Sequence, residues 1–565
     1  MEVGEEVYMY NSDKPIEDFD DDILGRGYFA KRLGETILSI DTKDTITIGL
    51  YGKWGSGKTS IINLVLKEID NKVLDNPEIE KPLVIRFAPW NFTNNQNLIV
   101  QFFKQLRSEL KIKDYAGFSR GLGEALESYS GAIELAQAIP IVGEHISIVK
   151  MIIESVSKRL KNKSDDGIVS TKNKVIEQLQ KKDKKIIVII DDIDRLSNEQ
   201  IRMVFQLVKE VASLPNIIYL LAMDKEVVAR ALTQVQNCEG EEYLEKIVQV
   251  PFAIPRLDKD KVLNLFSYKI DGMLDKKEEA KVDKEYLGKV YWRCIYPYIN
   301  TIRDVNRIMN TLQFRYRLVA EEVNFVDMLA ITVIQVMKPK IYYWILENEK
   351  KICGGSSYGG VVHNEQDNKK KQYAEELVNI GGVEALDVIT ALFPKLDKEV
   401  NHNYEVVSDD VLRKDQRIAD PDRFKIYFSL DISDIWISNS MLVRSIKEMN
   451  EYELQDLLSQ LNKSKKIIPY LRELKSHSDE VPNQRICLLM QILYKNMQCF
   501  EGEVRNSIMY FSAQWYAERC IDSLLNRVES SEKKYYIFAE IIKNADFKTL
   551  NSMAMYINSI ELGYG

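Results

Sequence analysis

The chain has 565 residues, of which 45% are hydrophobic and 29% charged, and its formal net charge is -8. This length predicts two or three domains that each bury a hydrophobic core, and the mild acidic excess excludes an overall electrostatic attraction to nucleic acid or anionic membranes. The 6 cysteines and 4 histidines are scattered without a CxxC pair, so no zinc-ligand spacing is present.

The N-terminal segment, residues 1–22, is acidic and lacks the basic start and apolar run of a secretory signal. The longest apolar-rich stretches, such as 325–337, fall short of the roughly 20 residues that a membrane-spanning helix needs. We therefore expect a cytoplasmic protein with free thiols and no transmembrane segment.

Four apolar runs predict the central strands of a parallel sheet. They lie at 44–51, 83–87, 185–190 and 216–223. Such nearly continuous apolar runs are typical of strands covered on both faces, and the helical patterns between them predict an α/β nucleotide-binding domain.

This α/β core is predicted to span 1–257 and to contain an inserted helical subdomain at about 114–174. We expect the insertion to pack on the core or on a partner; an apolar face lying on a membrane surface is the alternative. A short strand broken by two prolines is predicted within 243–257.

Beyond the core, helical periodicity predicts a helical lid at 258–353. The polar, glycine-containing stretch 354–372 predicts a flexible loop or linker. The remainder, 373–565, is predicted to be mainly helical. The predicted fold class is therefore α/β, with a parallel-sheet core, an inserted helical subdomain, a helical lid and a mainly α-helical C-terminal region.

A glycine-rich loop follows the first predicted strand and precedes a helical pattern. Its residues match GxxxxGK[ST], the phosphate-binding loop of P-loop NTPases: Gly52, Lys53, Trp54, Gly55, Ser56, Gly57, Lys58 and Thr59. Glycines allow backbone N–H groups to surround phosphate oxygens, Lys58 supplies positive charge to the β and γ phosphates, and Thr59 can ligate Mg²⁺. We predict that this loop, extended to Ser60, binds the nucleotide, because its flanking elements disfavour a chance glycine-rich turn.

Two acidic residues follow the apolar strand 185–190, at the carboxyl end where ligands bind in open α/β sheets. Asp191 is the predicted Mg²⁺ ligand, and Asp192 is predicted to orient or deprotonate the attacking water. A solvated acidic turn is the alternative. Arg195 would contact a neighbouring carboxylate or the nucleotide of an adjacent subunit. Asp224, after the next strand, is either a γ-phosphate sensor or a helix N-cap.

These motifs resemble the KAP family of P-loop NTPases, a group related to the AAA+ and STAND NTPases. Many bacterial members resemble phage-defence ATPases such as the large subunit of the Qat system. The resemblance covers about residues 10–345 and includes the sequence DDIDR at 191–195, Trp90 and the segment 301–310. It implies that Arg303 reaches the triphosphate from the lid, with Arg307 as the second candidate; both are also compatible with salt-bridged surface arginines.

The resemblance implies an ATPase that acts as a conformational switch or remodeller with other protein subunits of a phage-defence complex. Its cofactors would be ATP and Mg²⁺, its predicted catalytic residues are Lys58, Asp192 and Arg303, and 373–565 would be an interaction or oligomerisation domain. The alternatives are a nucleotide-locked scaffold with little turnover and, ranked lower, a kinase. The short basic clusters at 181–185 and 369–371 lack interleaved aromatics, which favours solvated edges over nucleic-acid binding.

Overall fold

A computed structural model describes most of the chain. The described residues are 13–40, 44–91, 98–112, 124–128, 130, 168–180, 184–211, 213–236, 239–353, 375–396, 407–431, 437–506 and 509–561. The chain forms two compact units. The first, here called the sheet unit, comprises Ser12–Val262 and Thr301–Arg303, and the second, the helical unit, comprises Leu263–Asn300 and Asp304–Gly565.

The sheet unit contains a parallel sheet and the helices that cover it. Its strands are β1 (Ile46–Tyr51), β2 (Leu83–Phe87), β3 (Ile186–Ile190), β4 (Ile217–Met223) and β5 (Val250–Ala253). Its helices are α1 (Gly27–Ser39), α2 (Lys58–Asp75), α3 (Leu98–Ile112), α4 (Ile168–Gln180), α5 (Asn198–Gln206), α6 (Lys225–Gln236) and α7 (Gly240–Glu245). The predicted α/β core and its four central strands are confirmed.

The strands are arranged in the order β2-β3-β4-β1-β5, and all neighbouring pairs are parallel. Every residue of β3 and β4 is buried, as the continuous apolar runs predicted. The predicted fifth strand is β5, which pairs with β1 at the end of the sheet. Pro251 is compatible with that position because an edge strand has a side that needs no backbone N–H donor.

Alternate residues of the central strands β3 and β4 enter two different hydrophobic cores. Ile187 and Ile189 of β3 pack with residues of α1 and α2, whereas Ile186 and Val188 pack with residues of α3, α4 and α5. This division follows from the two-residue period of side chains along a strand. The sheet is thus covered on both faces, and its carboxyl edge has a fixed position between the two layers.

Within its described residues, the helical unit consists of helices and one antiparallel hairpin. Helix α8 (Lys259–Asp271) carries the chain from the first unit into the second. The following helices are α9 (Lys276–Lys281), α10 (Lys284–Val290), α11 (Ile302–Val319), α12 (Phe325–Met337), α13 (Pro339–Glu347), α14 (Glu349–Ile352), α15 (Val383–Leu392), α16 (Asp409–Lys414), α17 (Phe424–Ser429), α18 (Asn439–Lys447), α19 (Glu451–Lys463), α20 (Ile467–Ser476), α21 (Asn483–Asn496), α22 (Ala513–Asn526), α23 (Ser531–Lys543) and α24 (Phe547–Glu561). The hairpin strands β6 (Glu503–Asn506) and β7 (Met509–Ser512) interrupt a region predicted only as mainly helical.

Several predicted segments lie outside the described residues. The linker at 354–372 is one of them, and so is most of the insertion at 114–174, apart from α4 and the helical residues 124–128 and 130. Among the described helices, none combines the length and the apolar character required to cross a membrane. The division into core, lid, linker and C-terminal domain stays a prediction.

The helical unit buries an ionic cluster. Arg423, which is 3% exposed, donates through Nη1 to Glu322 Oε2 at 3.0 Å and through Nη2 to Glu473 Oε1 at 3.0 Å. Both carboxylates are also buried. Because a buried charge is costly unless it is paired, one guanidinium group compensates two carboxylates on separate parts of the chain.

We expect Arg423→Ala to lower the free energy of unfolding of the helical unit by about 3–5 kcal/mol, since Glu322 and Glu473 would lose their common cation. Thermal or urea denaturation of the full chain measures this loss. Arg444→Ala is the matched control: Arg444 pairs with Glu453 at 3.2 Å on the surface, and the expected loss is at most about 1 kcal/mol. Equal losses in the two variants would contradict a structural role for the buried cluster.

Candidate functional site

The glycine-rich loop joins the carboxyl end of β1 to the start of α2. Gly55 and Gly57 have φ angles of 77° and 85°, in the left-handed region that glycine adopts without strain. A Cβ atom at Gly52 would lie 2.5 Å from Ser56 Oγ, so a larger residue there would displace the Ser56 side chain. The backbone of the loop is therefore closed tightly in front of the helix N-terminus, where N–H groups favour anions.

Lys58, the first residue of α2, is buried beneath the loop. Its Nζ donates to the carbonyl of Gly52 at 3.0 Å and lies 3.4 Å from Asp194 Oδ2. The second oxygen of Asp194, Oδ1, is buried without a hydrogen-bond partner among the described residues. Asp194 is not among the predicted site residues. The sequence feature that could have indicated it is its place as the third acidic residue of DDIDR.

Thr59 and Asp191 meet at the carboxyl edge of the sheet. Thr59 Oγ1 donates to Asp191 Oδ2 at 2.6 Å, although the two residues are 132 positions apart in the chain. The hydroxyl and the carboxylate are hard oxygen ligands of the kind that Mg²⁺ prefers, and Mg²⁺ commonly takes one or two carboxylates together with substrate phosphates. These residues thus fit the predicted metal ion.

Asp192 follows at the same edge in an unusual backbone conformation. Its φ is 55°, and its N–H donates to Asp191 Oδ1 at 2.8 Å. Burial raises the pKa of Asp192 above its ordinary value, the neighbouring Asp191 raises this pKa further, and Arg195 opposes the shift. Arg195 Nη2 lies 3.0 Å from Asp192 Oδ1. The arrangement holds a carboxylate with enhanced proton affinity beside the loop.

Arg303 lies beside the loop within the sheet unit. Its Nε is 2.9 Å from Asp13 Oδ2, and its guanidinium carbon is 5.2 Å from the centroid of the Trp54 ring. A Cβ atom at Gly55 would be 3.4 Å from Arg303 Cδ, which shows how closely the arginine approaches the loop backbone. The structure thus brings this predicted residue to the loop, while its role stays a prediction.

Arg26 is a further residue at the loop, and it is not among the predicted site residues. Its side chain is 8% exposed; Nη1 donates to the carbonyl of Ser56, and Nη2 donates to the carbonyl of Pro255 at 2.7 Å. The residue fixes the loop to the segment after β5. The only sequence signal was its place before α1 in the segment preceding the loop.

The segment before α1 also contacts the start of α2. Ser60 Oγ accepts a hydrogen bond from the N–H of Ile16 at 3.3 Å, and Asn63 Nδ2 donates to the carbonyl of Ile16 at 3.0 Å. The side chain of Ser60 is therefore engaged by residue 16. Lys53 contributes its carbonyl, which accepts from the N–H of Ser56 at 3.0 Å.

Three other candidates occupy different surroundings. Asp224 Oδ1 accepts from the N–H of Glu226 at 3.1 Å, so Asp224 caps α6. Arg307 lies in the helical unit and donates to the carbonyl of Val336 at 3.4 Å. Trp90 follows β2 in a short 3₁₀ turn and is 53% exposed.

Comparison with known proteins gives a family match and more distant similarities. The KAP family P-loop domain matches residues 26–319, just over half of the chain. The chain is 28% identical over 352 residues to the Phage T7 exclusion protein of Escherichia coli (strain K12), covering 59% of this chain and 47% of that protein. The chain thus spans about half the length of this curated relative.

Two solved structures show weak overall similarity. The Aeropyrum pernix ORC2 protein in its ADPNP–ADP complexes has a TM-score of 0.32 at 10% identity. The matched region covers 68% of this chain and 88% of the ORC2 chain. CDC6P from Pyrobaculum aerophilum has a TM-score of 0.29 at 12% identity, with coverages of 66% and 86%. The family match includes the glycine-rich loop, the acidic strand end and Arg303. On that match, the chain belongs to the KAP family of P-loop NTPases.

Proposed function

We propose that the chain binds ATP with Mg²⁺ at the loop Gly52–Thr59 and hydrolyses it to ADP and phosphate. The observation that carries the proposal is the 2.6 Å contact between Thr59 and Asp191, which brings the loop and the acidic strand end together. Asp192 lies next to this contact. The family match supports a nucleotide site, and the geometry supports hydrolysis because a carboxylate stands beside the phosphate loop.

Each side chain has a defined task in this mechanism. The loop N–H groups and Lys58 bind the phosphates, and Thr59 and Asp191 would hold Mg²⁺, which when bound neutralises charge on the β and γ phosphates. Asp192 orients a water molecule and accepts its proton as the water oxygen attacks the γ phosphorus and the bond to the bridging oxygen breaks.

At the level of the cell, we propose a role in phage exclusion. The support is the similarity to the Escherichia coli protein named for phage T7 exclusion. In this proposal, ATP turnover switches the conformation of the chain within a complex that contains other protein subunits. A nucleotide-locked scaffold with little turnover is the second candidate, favoured by the ion pair that already engages Asp192 with Arg195.

Lys58→Ala is expected to weaken ATP binding by at least about tenfold, because a charge-assisted contact to phosphate is lost. Calorimetric titration of the purified variant with ATP and Mg²⁺ measures the affinity. Lys72→Ala, at the other end of α2 and 39% exposed, is the control and should bind ATP normally. Unchanged affinity in Lys58→Ala would exclude the loop as the phosphate site.

Asp192→Asn is expected to retain ATP binding and to lower kcat by about 10²–10⁴-fold, since the proton acceptor is removed. Asparagine tolerates the left-handed backbone at this position, so the loop geometry should persist. Phosphate release at saturating ATP measures kcat. Hydrolysis at the wild-type rate would assign the proton transfer to another group.

The biological role is tested by phage plating on cells that carry the complete system. If turnover drives exclusion, both Lys58→Ala and Asp192→Asn should restore plaque formation. If the chain is a nucleotide-locked scaffold, Asp192→Asn should still exclude phage while Lys58→Ala does not. Normal exclusion by both variants would separate this role from the nucleotide site.

A further inference from the structure

Trp54 is an exposed aromatic residue within the phosphate loop. Its side chain is 66% exposed, and the GxxxxGK[ST] pattern places no demand on this position. Two guanidinium groups lie near its ring: the carbon of Arg303 is 5.2 Å from the ring centroid and that of Arg195 is 6.0 Å from it. Both distances are within about 6 Å, the range in which a cation is attracted to an aromatic face.

The two arginines come from distant parts of the chain and are each held by a carboxylate. Arg303 Nε is 2.9 Å from Asp13 Oδ2, and Arg195 Nη2 is 3.0 Å from Asp192 Oδ1. Each ion pair fixes one edge of a guanidinium group. The indole ring of Trp54 is a surface that both guanidinium groups share, so it sets where they lie relative to the loop.

Two arginines, Arg195 and Arg303, add positive charge near the loop beyond that of Lys58. Arg303 approaches the loop backbone itself, because its Cδ would be 3.4 Å from a Cβ atom at Gly55. Arg195 lies at the acidic strand end, against Asp192. The loop and this strand end are the two elements between which a γ-phosphate is bound and transferred in P-loop NTPases. Guanidinium groups there match phosphate oxygens in charge and shape.

We propose that Trp54 is a positioning residue, which holds Arg195 and Arg303 of the same chain where both bind the γ-phosphate of a nucleoside triphosphate. This inference rests on the proposed nucleotide site and adds a determinant of triphosphate over diphosphate selectivity. It also makes both arginines act within their own chain.

Two substitutions distinguish the effect of the aromatic face of Trp54 from the effect of its apolar volume. Trp54→Phe keeps a π face, whereas Trp54→Leu keeps apolar volume without one. Loss of two exposed cation–π contacts predicts that Trp54→Leu weakens binding of a non-hydrolysable ATP analogue by about 5- to 30-fold. The loss of affinity for ADP should be much smaller, and Trp54→Phe should retain most of the analogue affinity. Trp292→Leu, at a tryptophan that is 62% exposed in the helical unit, is the control.

Calorimetric titration with the analogue and with ADP gives the ratio of the two affinities, and this measurement does not depend on turnover. Equal losses for both nucleotides, or a loss in Trp54→Phe as large as in Trp54→Leu, would overturn the positioning role. If the wild type binds the analogue but does not hydrolyse ATP, hydrolysis fails as a proposal while the affinity ratio still tests Trp54. If the wild type binds neither nucleotide, the nucleotide site itself fails.

Mixing two variants, Lys58→Ala and Arg195→Ala, tests whether Arg195 acts within its own chain. Lys58→Ala retains Arg195, and Arg195→Ala retains an intact loop. If Arg195 acts in its own chain, ATP hydrolysis by the mixture should equal the sum of the separate activities. Recovery above that sum would show that an arginine from one chain completes the site of another, and would overturn the inference.

Discussion

The site depends on one constraint, which is that parallel strands deliver their carboxyl ends to the same edge of a sheet. β1 leads into the glycine-rich loop and β3 leads into Asp191, with β4 between them. Because all three are buried and in parallel register, the hydroxyl of Thr59 meets Asp191 at 2.6 Å across that edge.

Charge pairing is the second organising feature of the sheet unit. Around the loop, Lys58 faces Asp194 and Arg195 faces Asp192, each in an ion pair of at most 3.4 Å. Arg26 differs, since its guanidinium group donates hydrogen bonds to the backbone carbonyls of two separate segments. Each carboxylate lowers the free-energy cost of placing several cations close together. A polyphosphate that binds at the loop would offer these cations another anionic partner.

The helical unit uses buried charge for another purpose. Asp327 is fully buried in the apolar helix α12 and accepts hydrogen bonds from Tyr286, from Arg417 Nε at 2.9 Å and from the N–H of Ile418 at 2.8 Å. Such a network constrains which segments can pack together, because any other arrangement would leave a carboxylate unpaired. The unit thus obtains its arrangement from specific polar contacts as well as from its apolar core.

The sequence by itself determined the strand-loop-helix of the phosphate site and the acidic strand end. Those features depend on local patterns, namely continuous apolar runs and the glycine spacing of one loop. The tertiary structure decided the contacts of Asp194, Arg26 and Trp54, whose partners lie far away in the chain. Long-range pairing leaves no periodic trace in a sequence, which is why these contacts could not be predicted from it.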